Sequence, residues 1–147
     1  DCYAGQLNQV FMNLISNAID ALESKKEEDK GYSSQLDCGK NKQVNQPLST
    51  APTIKISTET NSHDWVVIRI TDNGAGMSEE VQQKLFDPFF TTKPLGKGTG
   101  LGLSISYQII VEKHSGKLQC ISKLGQGTQF IIEIPIRHPN LKIGVKG

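Results

Sequence analysis

The chain has 147 residues, of which 36% are hydrophobic, and its formal net charge is +1. This length suits one domain with a modest core, and the near-neutral charge gives no reason to expect nucleic acid or an anionic membrane as a partner. No apolar run approaches the length that spans a bilayer, so we expect no membrane contact from this chain. The three cysteines, Cys2, Cys38 and Cys120, lack metal-ligand spacing and indicate reduced thiols of a cytoplasmic domain, Cys120 in a buried packing position.

Apolar residues recur every three or four positions near the start of the chain and predict an amphipathic helix from about Gln6 to Glu23. Its polar side carries Asn13 and Asn17, which lie one turn apart and can present amide oxygens to a metal. Taken in isolation, the two asparagines fit an ordinary polar surface stripe better. Residues 24–51 are polar and lose the periodicity, which predicts a long surface loop or a partly disordered insert.

Alternation of apolar and polar residues predicts two strands, around residues 54–57 and 66–71, with a hairpin turn at 61–64. Asp72 continues the parity of the apolar residues in the second strand, so its carboxylate begins on the buried face of the sheet. A buried carboxylate is unfavourable without hydrogen bonds, which makes Asp72 a candidate ligand. On the local Asp-Asn-Gly sequence alone, an ordinary turn aspartate is the better interpretation.

The sequence of the second half of the chain predicts two helices followed by two strands. Ser78 fits the N-cap of a short helix that ends near Leu85, and a longer helix runs from about Gly100 to His114. Residues 117–122 and 128–136 predict two final strands, in which Thr128 faces inward. The intervening polar loop spans residues 91–99, and three aromatic residues precede it as a predicted packing cluster: Phe86, Phe89 and Phe90.

Two glycine-rich blocks, at residues 72–77 and 98–103, carry the most specific signal. Glycine lets the backbone approach a phosphate closely, and N–H groups at the start of a helix favour an anion there. The order Gly-Lys-Ser/Thr of a Walker loop is missing, and neither block completes a dinucleotide fingerprint. The blocks and the asparagine pair together predict a nucleotide pocket of another type.

In chain order, these segments resemble the N, G1, F, G2 and G3 boxes of sensor histidine kinase catalytic domains. The boxes correspond to residues 13–18, 72–77, 86–90, 98–102 and 125–128. This family belongs to the GHKL superfamily, with gyrase, chaperone and mismatch-repair ATPases. The resemblance runs from Asp1 to about Pro135 outside the insert. It implies one α/β domain over residues 1–147, a two-layer Bergerat-type sandwich with a mixed, mainly antiparallel sheet packed on helices.

The resemblance also implies site residues. Asp72 would accept from the adenine amino group, and Thr128 would lie near the base. Asn17 would hold Mg²⁺ between the phosphates of ATP, and Asn13 would lie near the phosphates or a metal-bound water. Lys93 matches a loop lysine that reaches the phosphates. The glycine boxes would supply the remaining nucleotide contacts: Gly74, Gly76 and Met77 around the base, and Gly98, Thr99, Gly100, Leu101 and Gly102 around the phosphates.

The implied function is transfer of the γ-phosphoryl group of ATP to a histidine in two-component signalling. The histidine would lie on a helical hairpin domain of the parent kinase, and a response regulator would act downstream. Because the hairpin and further strands would precede Asp1, we expect the chain to be an N-terminally truncated part of a larger kinase. Whether that parent is anchored in a membrane stays open. Many members also carry a lysine where this chain has Asp20, so one phosphate contact differs.

Three alternatives remain at this point. One is a self-contained ATPase switch of the gyrase or chaperone type, which would need a carboxylate at the position of Asn13 to activate water. Another is a protein-serine kinase or a pyruvate-dehydrogenase-kinase relative. The third is a degenerate pocket that serves only as a nucleotide-binding docking module.

Overall fold

The computed structural model describes residues 2–34, 51–62, 64–94, 96 and 98–137. Residues 35–50 of the predicted insert, with Cys38, and residues 138–147 lie outside this description. The elements in chain order are α1 (Ala4–Ser34), β1 (Ile54–Thr60), β2 (Trp65–Asp72), α2 (Glu79–Lys84), α3 (Gly102–Tyr107), a π-helical segment (Gln108–Lys113), β3 (Lys117–Lys123) and β4 (Gly127–Pro135).

The strands form one four-stranded sheet in the order β1-β2-β4-β3, and all three pairings are antiparallel. The predicted hairpin between the first two strands is confirmed, because Ile56 pairs with Ile70 across it. β4 lies between β2 and β3, so Asp72 at the end of β2 pairs with Thr128 at the start of β4. This register brings two predicted site residues together at one end of the sheet.

Helices cover one face of the sheet, which confirms the two-layer α/β sandwich. Along β4, the inward residues are buried in strict alternation with partly exposed ones, as the period of two requires. On β3 the outward residues are exposed, including Ile121, whereas Leu118 is buried. The buried core joins both layers and contains Leu7, Val10, Leu14, Ile68, Ile70, Leu85, Ile109, Ile110, Leu118, Phe130, Ile132 and Ile134.

Helix α1 is longer than the sequence pattern predicted. Its apolar stripe packs on the sheet as expected, with Val10 and Leu14 fully buried. The helix nevertheless continues to Ser34, so the prediction of a loop from residue 24 onward is wrong for residues 24–34. Lysine and glutamate, which dominate residues 25–28, are good helix formers, and a helix can continue on them without a buried face. The apolar periodicity reports only where α1 contacts the sheet.

The structure confirms the predicted start of α2, whereas the longer helix differs from the prediction in its interior. The Ser78 hydroxyl accepts a hydrogen bond from the Val81 N–H at 3.3 Å, which confirms the N-cap of α2. The helix predicted from residue 100 to 114 is α-helical only over Gly102–Tyr107 and then widens into the π-helical segment. The His114 ring and backbone N–H both contact the Ile109 carbonyl, at 2.8 and 3.2 Å, and this shared acceptor sets the wider turn.

The predicted aromatic cluster is only partly a core feature. Phe86 packs beside Tyr107 with ring centroids 5.2 Å apart, and Phe90 is half-buried. Phe89 is 75% exposed and has φ of +66°, so the packing role expected for it is wrong. The cause is local, because the backbone N–H of Phe89 donates to Gly100 at 2.9 Å and turns its side chain away from the core.

The remaining sequence predictions about the surface and the cysteines can be compared directly. Cys120 packs against the core, as expected, and its burial raises the pKa of the thiol to about 12, so it is neutral at physiological pH. Cys2 is exposed. Among the residues that the structure describes, no helix is both long enough and apolar enough to cross a membrane.

Candidate functional site

A cavity of about 550 Å³ lies between α1, the turn after β2, the loop before α3 and the start of β4. This volume is typical of small-molecule sites. Of the thirteen residues predicted for the site, eleven line it: Asn13, Asn17, Asp72, Gly76, Met77, Lys93, Gly98, Thr99, Gly100, Gly102 and Thr128. The other two, Gly74 and Leu101, lie next to lining residues but not on the wall.

Asp72 forms the buried end of this cavity. Its side chain is 5% exposed, so the inward direction predicted from strand parity is confirmed. The Gly74 N–H donates to Asp72 Oδ1 at 2.9 Å, which leaves further acceptor positions of the carboxylate for a ligand. Burial raises the pKa of Asp72, while backbone hydrogen bonds from Gly74 and Thr128 and the charge of Lys25 oppose this rise.

Beside Asp72, two hydroxyl groups form a short network that the sequence analysis missed. The Ser122 and Thr128 hydroxyls lie 2.8 Å apart, and the Met77 N–H donates to Ser122 at 2.9 Å. The Gln82 side-chain amide contacts both backbone polar groups of Ser122, accepting from its N–H at 3.3 Å and donating to its carbonyl at 3.1 Å. These hydrogen bonds fix helix α2 to the edge of β3 at the Asp72 end of the cavity.

Two glycines at this end are required by geometry. Gly76 has φ of +71°, and an added Cβ would collide with the Lys123 carbonyl. Gly127 has φ of +103°, and an added Cβ would collide with the Asp72 carbonyl. Both positions combine a left-handed backbone with contact to another strand, so no other residue fits without moving the main chain around Asp72.

The opposite end of the cavity is formed by α1 and the start of α3. The Asn13 side-chain amide donates to the Gly102 carbonyl at 3.0 Å and to the Ser106 hydroxyl at 3.2 Å, which ties the two helices together. These bonds use the nitrogen of Asn13, so its amide oxygen keeps its acceptor capacity. Asn17 lies one turn further along α1 and also lines the cavity.

Lys93 reaches from the loop to α1. Its ammonium forms a close ion pair with the Asp20 carboxylate and donates to Asn17 Oδ1 at 3.3 Å. Asp20, one of the positions where the chain departs from the common pattern, therefore faces the loop lysine. The Lys93 ammonium thus lies beside one carboxylate and one amide oxygen, and both are ligand types that suit Mg²⁺.

The loop that contains Lys93 is the most exposed wall of the cavity. Thr91, Thr92, Pro94 and Thr99 are all exposed. Gly100, with φ of +66°, packs its Cα directly against the Phe89 backbone, and an added Cβ on Gly98 would lie 2.7 Å from the Thr91 hydroxyl. After this loop, the first N–H groups of α3 have no acceptor within the helix, and Gly102 at its start lies beside Asn13.

Comparison with known proteins agrees with this geometry. A family model described as histidine kinase-, DNA gyrase B- and HSP90-like ATPase matches residues 3–138. The chain belongs to this family. The matched residues include both ends of the cavity, from Asn13 to Thr128.

The similar curated proteins are sensor kinases. The chain is 39% identical over 131 residues to sensor kinase CckA of Brucella abortus and 35% identical over 137 residues to sporulation kinase E of Bacillus subtilis. These alignments cover 89% and 93% of this chain but only 12% and 15% of the two relatives. The chain therefore corresponds to the ATPase domain of much longer sensor kinases.

Solved structures show the same fold. The nucleotide-free catalytic domain of histidine kinase ThkA superposes with a TM-score of 0.63 at 34% identity, over 91% of this chain and 68% of that one. Full-length ShkA in complex with AMPPNP gives a TM-score of 0.63 at 22% identity, over 89% of this chain and 21% of that one, which supports the fold alone.

Proposed function

We propose that this domain binds Mg²⁺-ATP and transfers the γ-phosphoryl group to a histidine on a separate helical hairpin domain of the parent kinase. The observation that carries the proposal is the cavity itself, which joins a buried carboxylate at one end to two amides and a glycine-rich loop at the other. The response regulator downstream and a cytoplasmic location belong to the same proposal.

Base recognition is assigned to Asp72. A carboxylate accepts hydrogen bonds but cannot donate them at neutral pH, so it suits the exocyclic amino group of adenine and not the carbonyl of guanine. Because the Gly74 N–H already binds one oxygen, the group is held in one orientation. The Thr128 hydroxyl, fixed by Ser122, lies on the adjacent strand as a second polar contact for the base. Gly76 and Met77 line the same end of the cavity.

Phosphate binding is assigned to the other end. Asn17 would hold Mg²⁺, and the Asp20 carboxylate lies within reach of the same place, an all-oxygen set that fits this ion. When bound, the ion would neutralise charge on the phosphates and align them. Lys93 would leave Asp20 for the phosphates, which are the stronger anion. The loop glycines and the first turn of α3 would supply N–H groups: Gly98, Thr99, Gly100, Leu101 and Gly102.

The transfer step needs an external nucleophile. A ring nitrogen of the acceptor histidine forms a bond to the γ-phosphorus while the bond to the β-γ bridging oxygen breaks, ADP leaves, and the ring N–H proton passes to solvent. The chain contributes positioning and charge stabilisation. Asn13 supports this assignment over a water-splitting ATPase, because an amide cannot take a proton at neutral pH and its nitrogen is bonded to Gly102 and Ser106.

The test is transfer in trans. The chain is incubated with labelled ATP, Mg²⁺ and the parent's hairpin domain, and acid-labile phosphohistidine is measured on the hairpin. We expect label on the hairpin and very slow hydrolysis by the chain alone. A hairpin with its acceptor histidine changed to alanine is the matched control. Rapid multiple-turnover hydrolysis without transfer would favour the gyrase-like alternative, and nucleotide binding with neither transfer nor hydrolysis would favour the docking module.

A further inference from the structure

Lys25 lies on the part of α1 that sequence periodicity does not mark, yet it contacts two turns at the far end of the sheet. Its ammonium donates to the Asn73 carbonyl at 2.7 Å and to the Gly125 carbonyl at 3.2 Å. The first carbonyl directly follows Asp72, and the second lies three residues before Thr128. One half-buried side chain thus joins the two turns next to Asp72 and Thr128. These residues lie at the end of the cavity that we assign to the nucleotide base, called the base end below.

The backbones of the same three segments are also connected to one another. The Ala75 N–H donates to the Ala21 carbonyl at 3.1 Å, and the Gly125 N–H donates to the Ala75 carbonyl at 2.6 Å. Packing at this junction is close, because an added Cβ on Gly74 would lie 2.7 Å from the Ala21 backbone. The junction therefore has room for the thin methylene stem of Lys25 at its edge and requires a donor there, since both facing groups are carbonyls.

We propose that Lys25 is a positioning residue for recognition of the nucleotide base. It holds the turn at residues 73–76 against the turn at residues 124–127 and so fixes the Asp72 carboxylate relative to the Thr128 hydroxyl. The inference rests on the proposed contact between Asp72 and adenine. Lys25 does not line the cavity, so it acts through these turns and not by touching the nucleotide.

Lys25 also supports base recognition through its charge. Base recognition requires Asp72 to be ionised, and burial opposes ionisation, whereas the nearby ammonium favours it. Among the described residues, the titratable groups that interact electrostatically with Asp72 include Lys25 on α1 and Cys120 on β3, and the thiol is neutral. At the register positions beside Asp72, β1 and β4 present Ile54 and Thr128, which do not titrate. The positive charge of Lys25 thus favours the ionised carboxylate, in addition to the backbone hydrogen bonds from Gly74 and Thr128.

The experiment is calorimetric titration of ATP and GTP into the full chain and its variants across a pH series. Lys25→Met keeps the stem and removes the donors and the charge, Lys25→Arg restores both, and Lys26→Met alters the exposed neighbour as the matched control. We expect Lys25→Met to weaken ATP binding about tenfold, the effect of losing one or two charge-assisted hydrogen bonds. GTP binding should change less, Lys25→Arg should recover most of the loss, and Lys26→Met should behave as wild type.

The pH series separates positioning from general destabilisation. Protonation of Asp72 removes the acceptor, so ATP affinity falls as pH drops through its pKa. Without Lys25 that pKa rises further, and the fall should begin at higher pH in Lys25→Met than in wild type. Wild-type ATP affinity and an unchanged pH profile in Lys25→Met would overturn the inference, as would an equal loss in Lys26→Met. If Lys25→Met does not fold, Lys25→Gln, which keeps neutral donors, takes its place with the same expected shift.

Asp72→Ala distinguishes this inference from the proposed function. If Asp72→Ala loses ATP affinity while Lys25→Met keeps it, the role of Lys25 fails and the base contact stands. If Asp72→Ala binds ATP as wild type does, the base contact itself fails, and the role of Lys25 fails with it.

Discussion

The two ends of the cavity are built differently. At the base end, Asp72, Ser122 and Thr128 lie on adjacent strands and are bonded to one another or to neighbouring turns. At the phosphate end, the loop wall is exposed, and Lys93 reaches α1 through an ion pair whose side chains are 34% and 42% exposed. The base end is thus part of the folded core, whereas we expect the exposed loop at the phosphate end to gain contacts when a nucleotide binds. Changes at the two ends should therefore have different consequences.

The largest expected effect is on transfer. Asn17→Ala removes the amide that would hold Mg²⁺, so phosphotransfer to the hairpin should fall by more than about 100-fold, comparable to loss of a group that acts mainly in the transition state. Adenosine binding should stay near wild type, because the base end is untouched. Phosphohistidine formation and adenosine calorimetry measure the two quantities. Equal loss of both would show that the two ends are not separable. Asn8→Ala, at an exposed position of the same helix outside the cavity, is the control.

The next effect is on stability. Gly127→Ala forces a Cβ into the Asp72 carbonyl at positive φ and should lower the free energy of unfolding by about 2–4 kcal/mol. Gly96→Ala, at φ of +85° in open space on the loop, is the matched comparison and should lower it by about 1 kcal/mol. Denaturant unfolding of both variants measures the difference. Similar values for the two would contradict the view that the base end belongs to the core.

A smaller effect is expected on affinity. Asp72→Ala leaves the adenine amino group without its acceptor and should weaken ATP binding by about 1–3 kcal/mol. Asp72→Asn keeps an acceptor oxygen and should lose less. Calorimetry on variants shown to be folded by circular dichroism gives both numbers. Unchanged ATP affinity in a folded Asp72→Ala protein would exclude this carboxylate as the base contact.

The smallest effect is expected at the ion pair. Asp20→Asn weakens the contact with Lys93, and because half-exposed pairs contribute about 0–1 kcal/mol, stability should hardly change. ATP affinity without Mg²⁺ should rise up to about fivefold, since the freed ammonium can reach the phosphates. Asp20→Asn in a Lys93→Met background is the control, where this gain should vanish. A strong loss of affinity without Mg²⁺ would instead assign Asp20 a direct role.

Some features of the fold and of the cavity could be predicted from the sequence, and others could not. The four strands, the inward parity of Asp72 and the Ser78 cap follow from local period and capping rules, and the structure confirms them. The Lys25 ammonium contacts two carbonyls that lie 48 and 100 positions further along the chain, and no local sequence pattern encodes such contacts. The extension of α1 was missed for a related reason, because the apolar residues that recur every three or four positions stop near residue 23, while the helix continues.

Ser122 and Gln82 show the same limit within the sheet. The bonds between them span 40 residues and depend on how α2 lies along the edge of β3. Phe89 is the opposite case, because its residue type favours the core while its hydrogen bond to Gly100 fixes a positive φ that exposes it. Residue type and parity predict burial where a regular element decides it, and they fail where a loop contact decides it.

Hydrogen exchange of the chain with and without Mg²⁺-ATP tests the contrast between the two ends most directly. The loop peptide covering residues 91–99 should gain protection when ATP binds, because ligand contacts replace an exposed wall. Peptides from β2 and β4 should be well protected in both states. The account is contradicted if the loop shows no change on saturation with ATP, or if β2 and β4 become protected only when the nucleotide is present.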